Sequence, residues 1–336
     1  MPKGHTRPSI RDVAALAGVS HQTVSRVLNA PDRVRGETLQ RVTQAIEELG
    51  YRPSRAARSL ATSDSMTIGV VSVHAALLGP SQMTFAIDEG ARARGYATAA
   101  VTVRNDEASS LTSAREHLLG LGVDGVVVIA WSQGSLDLAS QFGREIPTAV
   151  IAEGEVPAGV ARARGDNVGG ASQAVSALKA SGRNRIAHLA GPADWLEARA
   201  RRSGWLAAGQ GALGQEVSAR WDAESGYRGV GELLAKDPAT DAIFAANDSV
   251  AAGALRRLGE LGRRVPDDVA IVGYDDTELA PYLAVPLASV RQPFAEVGSA
   301  VIDLLFEVVA GGEAGDRLLA SDFVWRESAG HLSERR

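Results

Sequence analysis

Two spacings of apolar residues divide the chain. Over the first fifty residues, apolar positions recur every three or four residues, which is typical of helices with one buried face. From Met66 onward, short apolar runs alternate with amphipathic segments. This alternation is typical of parallel sheets covered by helices. We therefore expect a small all-α unit followed by a larger α/β body.

The small unit has the pattern of a helix-turn-helix. Helical spacing precedes the tripeptide Gly18–Ser20, resumes over His21–Asn29, and returns over Glu37–Leu49. Two short helices joined by a tight glycine turn form a unit whose second helix lies in the major groove of DNA.

The second predicted helix has two different faces. Val24 and Val27 turn inward, whereas Gln22 and Arg26 share the polar face. Gln pairs with adenine and Arg with guanine, so this face suits the reading of base edges. An ordinary helical hairpin with a hydrated face is the alternative interpretation.

The charge of this unit fits either a DNA-binding segment or a solvated charged face, and the order of residues described above decides between the two. Residues 1–62 carry ten basic and five acidic side chains, a net charge of +5. The remaining residues carry a net charge of −10, which gives the whole chain its −5. A basic arm on an acidic body is typical of a segment that meets a polyanion.

The body has the pattern of two doubly wound parallel sheets. Predicted strands cover residues 67–73, 97–103, 125–130, 148–152, 185–190, 217–221, 242–246 and 269–273. A glycine-rich joint at Gly165–Gly170 separates the two sets of four strands. Ligands of such sheets bind beyond the carboxyl ends of the strands.

Several polar and aromatic side chains lie at the ends of predicted strands. Asn247 and Asp275 follow strands, Trp221 closes one, Arg201 lies on the helix after another, and Glu153 is at a strand end in the first set. A guanidinium, an amide, carboxylates and an indole in one cleft suit a sugar, because hydroxyls need fixed partners and a ring face stacks on the indole.

Composition excludes other classes of site. The chain has no cysteine, and its six histidines are scattered, so neither a thiolate nor a metal centre is expected. No apolar run is long enough to span a bilayer, and no secretory signal precedes the first helix, so we expect a cytoplasmic protein without a membrane partner. Phosphate-binding loops and hydrolase signatures are not found, and we therefore expect no enzyme and no cofactor.

The ordered motifs resemble a known family of bacterial regulators. IRDVAALAGVSHQTVSRVLN and VRGETLQRVTQAIEELGYRPSRAARSLAT are similar to the DNA-binding segment and hinge of the lactose-repressor/galactose-repressor family. In the body, AANDSVAAGALRRLGELG, VAIVGYDDTE and LASVRQPF are similar to its lactose-repressor branch. The resemblance implies a helix-turn-helix headpiece at residues 1–53, a hinge at 54–65, a two-lobed core like that of periplasmic binding proteins at 66–330, and a tail at 331–336. Lobe 1 would hold about 66–164 and 293–321, and lobe 2 about 165–290 and 322–330.

The resemblance also implies residue roles. Base readers would be His21, Gln22 and Arg26, with Thr23, Ser25 and Asn29 near phosphates or flanking bases, and Leu60 with Ala57 inserted into the minor groove from a hinge helix. In the cleft, the implied ligand contacts are Arg201, Asn247, Asp275 and Gln292 as polar groups, Trp221 and Phe294 as packing groups, and Pro80 and Met83 on the apolar side.

Some positions depart from the family pattern. Ala152 stands where the pattern has an aspartate on the fourth strand, with Glu153 one step on, so Glu153 completes the set of predicted contacts. The segment after Trp325 has no leucine-rich helix of the kind that joins two dimers, which predicts a homodimer.

Together these observations predict a repressor of double-stranded operator DNA. A small neutral saccharide, galactoside-like or another, is the expected inducer, bound between two lobes. Three alternatives remain open at this point. They are a regulator of the same fold that answers a nucleobase or phosphorylated corepressor, a solute-binding protein, and an enzyme.

Overall fold

The structure, a computed structural model, describes residues 8–29, 31–51, 65–73, 78–104 and 106–330. The chain divides into two compact units, residues 1–66 and 67–336, which we call the headpiece and the body.

The headpiece is a small helical unit. Its elements are α1 Ile10–Ala17, α2 His21–Asn29, a 3-10 turn Pro31–Arg33, and α3 Gly36–Leu49. Val13, Val24 and Val42, one from each helix, are fully buried against one another in its core. The predicted ends of α1 and α2 are confirmed, and α3 begins one residue before the predicted Glu37.

Local hydrogen bonds explain where these helices begin and end. The backbone N–H of Ser9 donates to the Asp12 carboxylate at 2.7 Å, which caps α1. Gly18 ends α1 with a φ of 64°, a left-handed conformation that favours glycine. The Arg41 guanidinium of α3 donates to the carbonyl oxygen of Ala17 at 2.6 Å, so α3 is tied to the end of α1.

The first half of the body forms a parallel sheet with helices on both faces. In chain order its elements are β1 Thr67–Val73, α4 Leu78–Ala93, β2 Ala97–Val103, α5 Ala108–Gly120, β3 Gly125–Ile129, α6 Gln133–Gly143, β4 Thr148–Ile151 and β5 Ala161–Gly165. Its strand order is β11-β5-β4-β3-β1-β2, in which β11 Asp316–Leu319 comes from the end of the chain. We call this sheet and its helices lobe 1.

The second half repeats the plan. Its elements are α7 Asn167–Ala180, β6 Ile186–Ala190, α8 Leu196–Ala208, β7 Leu213–Ser218, α9 Ala223–Lys236, β8 Ala242–Ala245, α10 Asp248–Glu260, β9 Ala270–Asp275 and β10 Ala288–Arg291, with 3-10 turns at Ala280–Tyr282 and Glu327–Ala329. The order is β12-β10-β9-β8-β6-β7, with β12 Asp322–Val324 antiparallel at the edge. We call this half lobe 2.

The chain passes between the lobes three times. It crosses after β5, again between β10 and α11 Phe294–Val309, and finally between β11 and β12. Helix α11 buries Val301 and Leu305 in the core of lobe 1, so the last third of the chain contributes to both lobes.

Four described strands were not predicted, and one was misplaced. The missed strands β5, β10, β11 and β12 are three to five residues long, and β5 reads ARARG, which has no apolar run. Its buried side is made of Ala161, Ala163 and Gly165, whose alternation with two arginines was the available signal. The strand predicted at residues 217–221 is found at Leu213–Ser218, so Trp221 lies in the loop after it.

Candidate functional site

The exposed face of α2 carries the predicted base readers. His21, Gln22 and Arg26 are exposed, whereas Val24 and Val27 are buried. This geometry leaves an imidazole, an amide and a guanidinium free of the headpiece core.

The remaining predicted DNA contacts fall into three groups. Thr23 and Ser25 are half-buried, and the Thr23 hydroxyl lies 2.9 Å from that of Ser20, which caps α2. Asn29 ends the helix, but its side chain lies outside the described residues. Ala57 and Leu60 also lie outside the described residues, so the hinge stays a prediction.

All nine predicted ligand contacts line one cleft of about 250 Å³ between the lobes. They are Pro80, Met83, Glu153, Arg201, Trp221, Asn247, Asp275, Gln292 and Phe294. Strand ends from both sheets open into this cleft, as expected for doubly wound folds.

Arg201 is the centre of the polar wall. It lies on α8, is 5% exposed, and donates from Nε to the Asn167 side-chain oxygen at 2.9 Å. A second guanidinium nitrogen donates to the carbonyl oxygen of Ala246, and a third lies 3.5 Å from the Asp275 carboxylate. Its planar group also lies over the Tyr274 ring, 3.9 Å from the centroid. These partners fix the guanidinium in one orientation before any ligand arrives.

Asp275 ends β9 in an unusual conformation. Its φ is 104°, a region that non-glycine residues rarely adopt. Burial raises the pKa of the carboxyl, and the nearby Arg201 charge partly offsets that increase. The Gln292 amide donates to its Oδ1 at 2.7 Å, so this carboxylate has two polar partners beside the cleft.

Asn247 combines a structural contact with a position in the cleft wall. Its side-chain oxygen accepts from the Val250 N–H at 2.8 Å and caps α10. Its amide nitrogen donates to the Trp221 carbonyl oxygen at 3.2 Å, which holds the loop after β7 against α10. Helix capping and cleft lining are therefore compatible at this residue.

Asp248, the residue after Asn247, lies behind the polar wall of the cleft and is hydrogen-bonded there. It is buried and accepts from the Ser289 hydroxyl and the Thr277 N–H, both at 2.6 Å. Burial, and secondarily the Asp275 charge, raises the pKa of Asp248 to about 7.

Trp221 places an aromatic ring in the same wall. The Arg201 guanidinium lies 5.4 Å from its ring centroid, and the Trp195 ring contacts it edge-on at the same centroid distance. Its indole Nε1 is buried and has no hydrogen-bond partner among the described residues. An indole of this kind can both stack on a ring and donate one hydrogen bond.

Lobe 1 contributes a mainly apolar wall. Pro80 and Met83 on α4 face the cleft together with Phe294 at the start of α11. The polar exceptions are Glu153 and Arg164, whose charged atoms lie 3.6 Å apart. Glu153 also accepts from the Asn167 amide at 3.0 Å, which links it to Arg201 in lobe 2.

Seven further polar or aromatic lining residues were not among the nine predicted contacts. They are Trp131, Arg164, Asn167, Trp195, Glu197, Ser249 and Thr277. Trp131 follows β3, and this strand-end position was recognisable in the sequence. Glu197 lies one helical turn before Arg201, so an i, i+4 search from the predicted arginine would have found it.

Comparisons with known proteins agree with this geometry. Residues 9–54 match the family profile "Bacterial regulatory proteins, lacI family", and residues 175–329 match "Periplasmic binding protein-like domain". The HTH-type transcriptional regulator CelR of Thermobifida fusca is 37% identical over 325 residues, which covers 91% of this chain and 93% of that protein. The chain belongs to the LacI family.

Solved structures extend the LacI-family likeness to the whole fold. A lac repressor dimer bound to operator and the anti-inducer ONPF matches with a TM-score of 0.90 at 31% identity, covering 96% of this chain and 99% of that one. A complex of CelR with cellobiose matches with a TM-score of 0.72 at 31% identity, covering 96% and 100%. The predicted family and the predicted fold, an all-α headpiece with two parallel-sheet lobes, are confirmed.

Membership of the LacI family makes this chain a DNA-binding transcriptional regulator with a ligand-binding body. In the described ranges, every helix is too short or too polar to span a bilayer. Within the same ranges, no group of three acidic, histidine or cysteine side chains is arranged to hold a metal ion.

Proposed function

We propose that this LacI-family chain is a homodimeric repressor whose affinity for operator DNA is controlled by a neutral saccharide in the cleft. The observation that carries the proposal is the orientation of Arg201, Asp275 and Gln292 as fixed polar groups beside the half-buried indole of Trp221. Such prearranged donors and acceptors suit hydroxyl groups, and the indole suits the apolar face of a sugar ring.

Charge in the cleft favours a neutral ligand. Arg201 is paired with Asp275 and Arg164 with Glu153, so each described guanidinium of the lining already has a carboxylate partner. Glu197 adds a further acidic group. A phosphorylated metabolite would require unpaired cations, which this lining does not offer.

The headpiece supports direct reading of DNA. Gln22 and Arg26 are exposed on a helix whose other side forms the headpiece core, and both side-chain types recognise bases in the major groove. The lac repressor dimer bound to operator, which matches this chain over 96% of its length, supports a dimer that binds DNA in the same manner.

The two lobes provide a route for coupling. A ligand in the cleft touches residues of both lobes, and the three chain crossings lie between the same lobes. A ligand that prefers one arrangement of the lobes shifts the population towards that arrangement. We expect the saccharide to lower operator affinity through this shift, with a coupling of about 1–3 kcal/mol.

A nucleobase corepressor is the second candidate. Trp221 favours it, because an indole with a free N–H can stack on a base and donate to a ring nitrogen. This candidate predicts that ligand tightens rather than weakens operator binding.

The test combines tryptophan fluorescence with operator binding. We expect saturable quenching by a neutral saccharide, loss of that response in D275N, and release of operator at the same concentrations. A response to purines alone, with tighter operator binding, would establish the nucleobase candidate instead. Silence towards both ligand classes would contradict the proposed effector while leaving the DNA-binding half untouched.

A separate test addresses the recognition helix. We expect R26A to lose sequence preference while retaining weak, salt-sensitive binding, since phosphate contacts remain. Operator specificity equal to that of the unaltered chain would show that α2 does not read the bases.

A further inference from the structure

Glu197 presents an unused acceptor to the cleft. It lies in the first turn of α8 and lines the cleft, and its Oε2 is shielded from water without a hydrogen-bond partner among the described residues. A buried carboxylate oxygen without a partner is costly. Burial accordingly raises the pKa of Glu197 to about 7. A hydrogen bond from its own backbone N–H and the Arg201 charge offset only part of this cost, whereas a ligand that donates a hydrogen bond to Oε2 would offset more of it.

The position of Glu197 separates it from the predicted sugar contacts. Glu197 and Arg201 are four residues apart on α8, so they share one face of the helix and lie about 6 Å apart along its axis. Glu197 therefore lies one helical turn nearer than Arg201 to the start of α8, where Trp195 precedes the helix.

Aromatic rings surround this second position. Trp195 immediately precedes α8, and Trp131 of lobe 1 also lines the cleft. The Trp195 ring meets the Trp221 ring edge-on at an interplanar angle of 67°, so the two indoles lie in different planes along one wall. Two adjacent indoles provide more stacking surface than a single sugar ring requires.

The start of α8 is held firmly in this position. The Leu196 N–H donates to the Trp131 carbonyl oxygen at 2.8 Å, and the Leu196 side chain is buried among the core residues of lobe 1. Trp195 packs against the same core. The second position is therefore formed where the two lobes touch.

We propose that Trp195, Trp131 and Glu197 form a second sugar subsite, and that the effector contains at least two linked sugar rings. The inner ring occupies the Arg201 and Asp275 group, as the proposed function requires, and the outer ring stacks on Trp195. A hydroxyl of the outer ring donates a hydrogen bond to the Glu197 carboxylate. The inference thus rests on the proposed saccharide effector and specifies its size.

The charges around Glu197 decide how its contact responds to pH. Arg201 on its own helix favours the ionised form, while Glu153 of lobe 1 and Asp275 at the end of β9 oppose it. A hydroxyl donates more strongly to a carboxylate than to a neutral carboxyl group. Disaccharide affinity should therefore rise as pH increases through about 7, the pKa of this group.

The test measures by calorimetry how tightly the full chain binds two matched pairs of sugars. The pairs are D-glucose with cellobiose and D-galactose with lactose. We expect the disaccharide of at least one pair to bind about tenfold or more tightly than its monosaccharide. E197A should weaken disaccharide binding about tenfold more than it weakens monosaccharide binding. E197Q, which keeps an acceptor of the same shape, should retain part of the advantage but lose its pH dependence near neutrality.

Two results would overturn the subsite. One is equal affinity for the two members of each pair; the other is equal weakening of both members by E197A. In either case the proposed function would still stand if the unaltered chain bound a monosaccharide and D275N abolished that binding. If the unaltered chain bound none of the four sugars, the subsite and the proposed effector would both be wrong.

Discussion

The two walls of the cleft are built on different principles. Lobe 2 supplies Arg201, Asp275 and Gln292, in which the Asp275 carboxylate is ion-paired with Arg201 and hydrogen-bonded by Gln292. Lobe 1 supplies Met83 and Phe294 with other apolar side chains, and its charged pair is Glu153 with Arg164. A ligand with hydroxyls on one side and an apolar face on the other fits both walls. The contrast indicates that lobe 2 sets orientation and lobe 1 sets shape.

The strongest test of this contrast removes the centre of the polar wall. R201A leaves the buried Asp275 carboxylate without its cation, and we expect saccharide affinity to fall by about a thousandfold. Calorimetry on the purified variant measures the loss. R201K is the matched control, because lysine keeps the charge but cannot contact three acceptors in one plane. Full rescue by lysine would show that charge alone, not orientation, is what lobe 2 provides.

A second test separates the lobes at their contact. Leu196 is 8% exposed and packs in the core of lobe 1 from a helix of lobe 2. L196A should lower the free energy of unfolding by about 3 kcal/mol through the cavity it leaves. Urea titration followed by tryptophan fluorescence measures this change.

The matched control for that test is L206A on the same helix. The Leu206 side chain packs on the core of lobe 2. We expect L196A, unlike L206A, to alter the dependence of operator binding on saccharide. Identical allosteric responses in the two variants would mean that the contact between lobes at Leu196 stabilises the fold but does not couple saccharide binding to operator binding.

The polar wall should also respond to pH. The pKa of Asp248 is raised from 3.8 to about 7 on folding, so the folded state holds a proton that the unfolded state releases between these values. Stability contributed by this group is therefore greatest below about pH 4 and falls as the pH rises to about 7.

D248N removes this dependence. A shift from 3.8 to about 7 corresponds to about 3 kcal/mol between pH 4 and pH 7, and the different hydrogen bonds of an amide add only a pH-independent term. Relative to the unaltered chain, D248N should therefore gain about 3 kcal/mol of stability between pH 4 and pH 7. Thermal unfolding at a series of pH values measures the difference, and a constant difference over that range would disprove the assignment. Because buried His188 titrates in the opposite sense, with its pKa lowered to about 4, only the difference between variants isolates Asp248.

The smallest effect is expected in the apolar wall. Met83 is half-buried and lines the cleft. M83A should weaken saccharide binding about threefold, since a few methylene contacts are lost and no polar group is left unpaired. A loss as large as that of R201A would erase the distinction between the two walls.

The sequence by itself determined the helical headpiece and the alternation of the body. Helix boundaries in the headpiece follow from local signals, such as the Ser9–Asp12 cap and Gly18, which act within a few residues of chain. Long apolar strands such as β1 and β3 were equally visible, because their burial on both faces requires a continuous apolar run. The nine predicted cleft residues came from strand ends and motif resemblance, and all nine line one cleft.

Only the tertiary structure decided what lies beside those residues. Strand β5 is short, and two of its five residues are arginine. It joins the sheet because it pairs with β4, which precedes it closely, and with β11 from near the end of the chain. Trp195 and Glu197 come next to Trp131 because α8 begins at the boundary between the lobes. A local pattern cannot specify which side chains from separate strands meet, since that depends on how two sheets pack together.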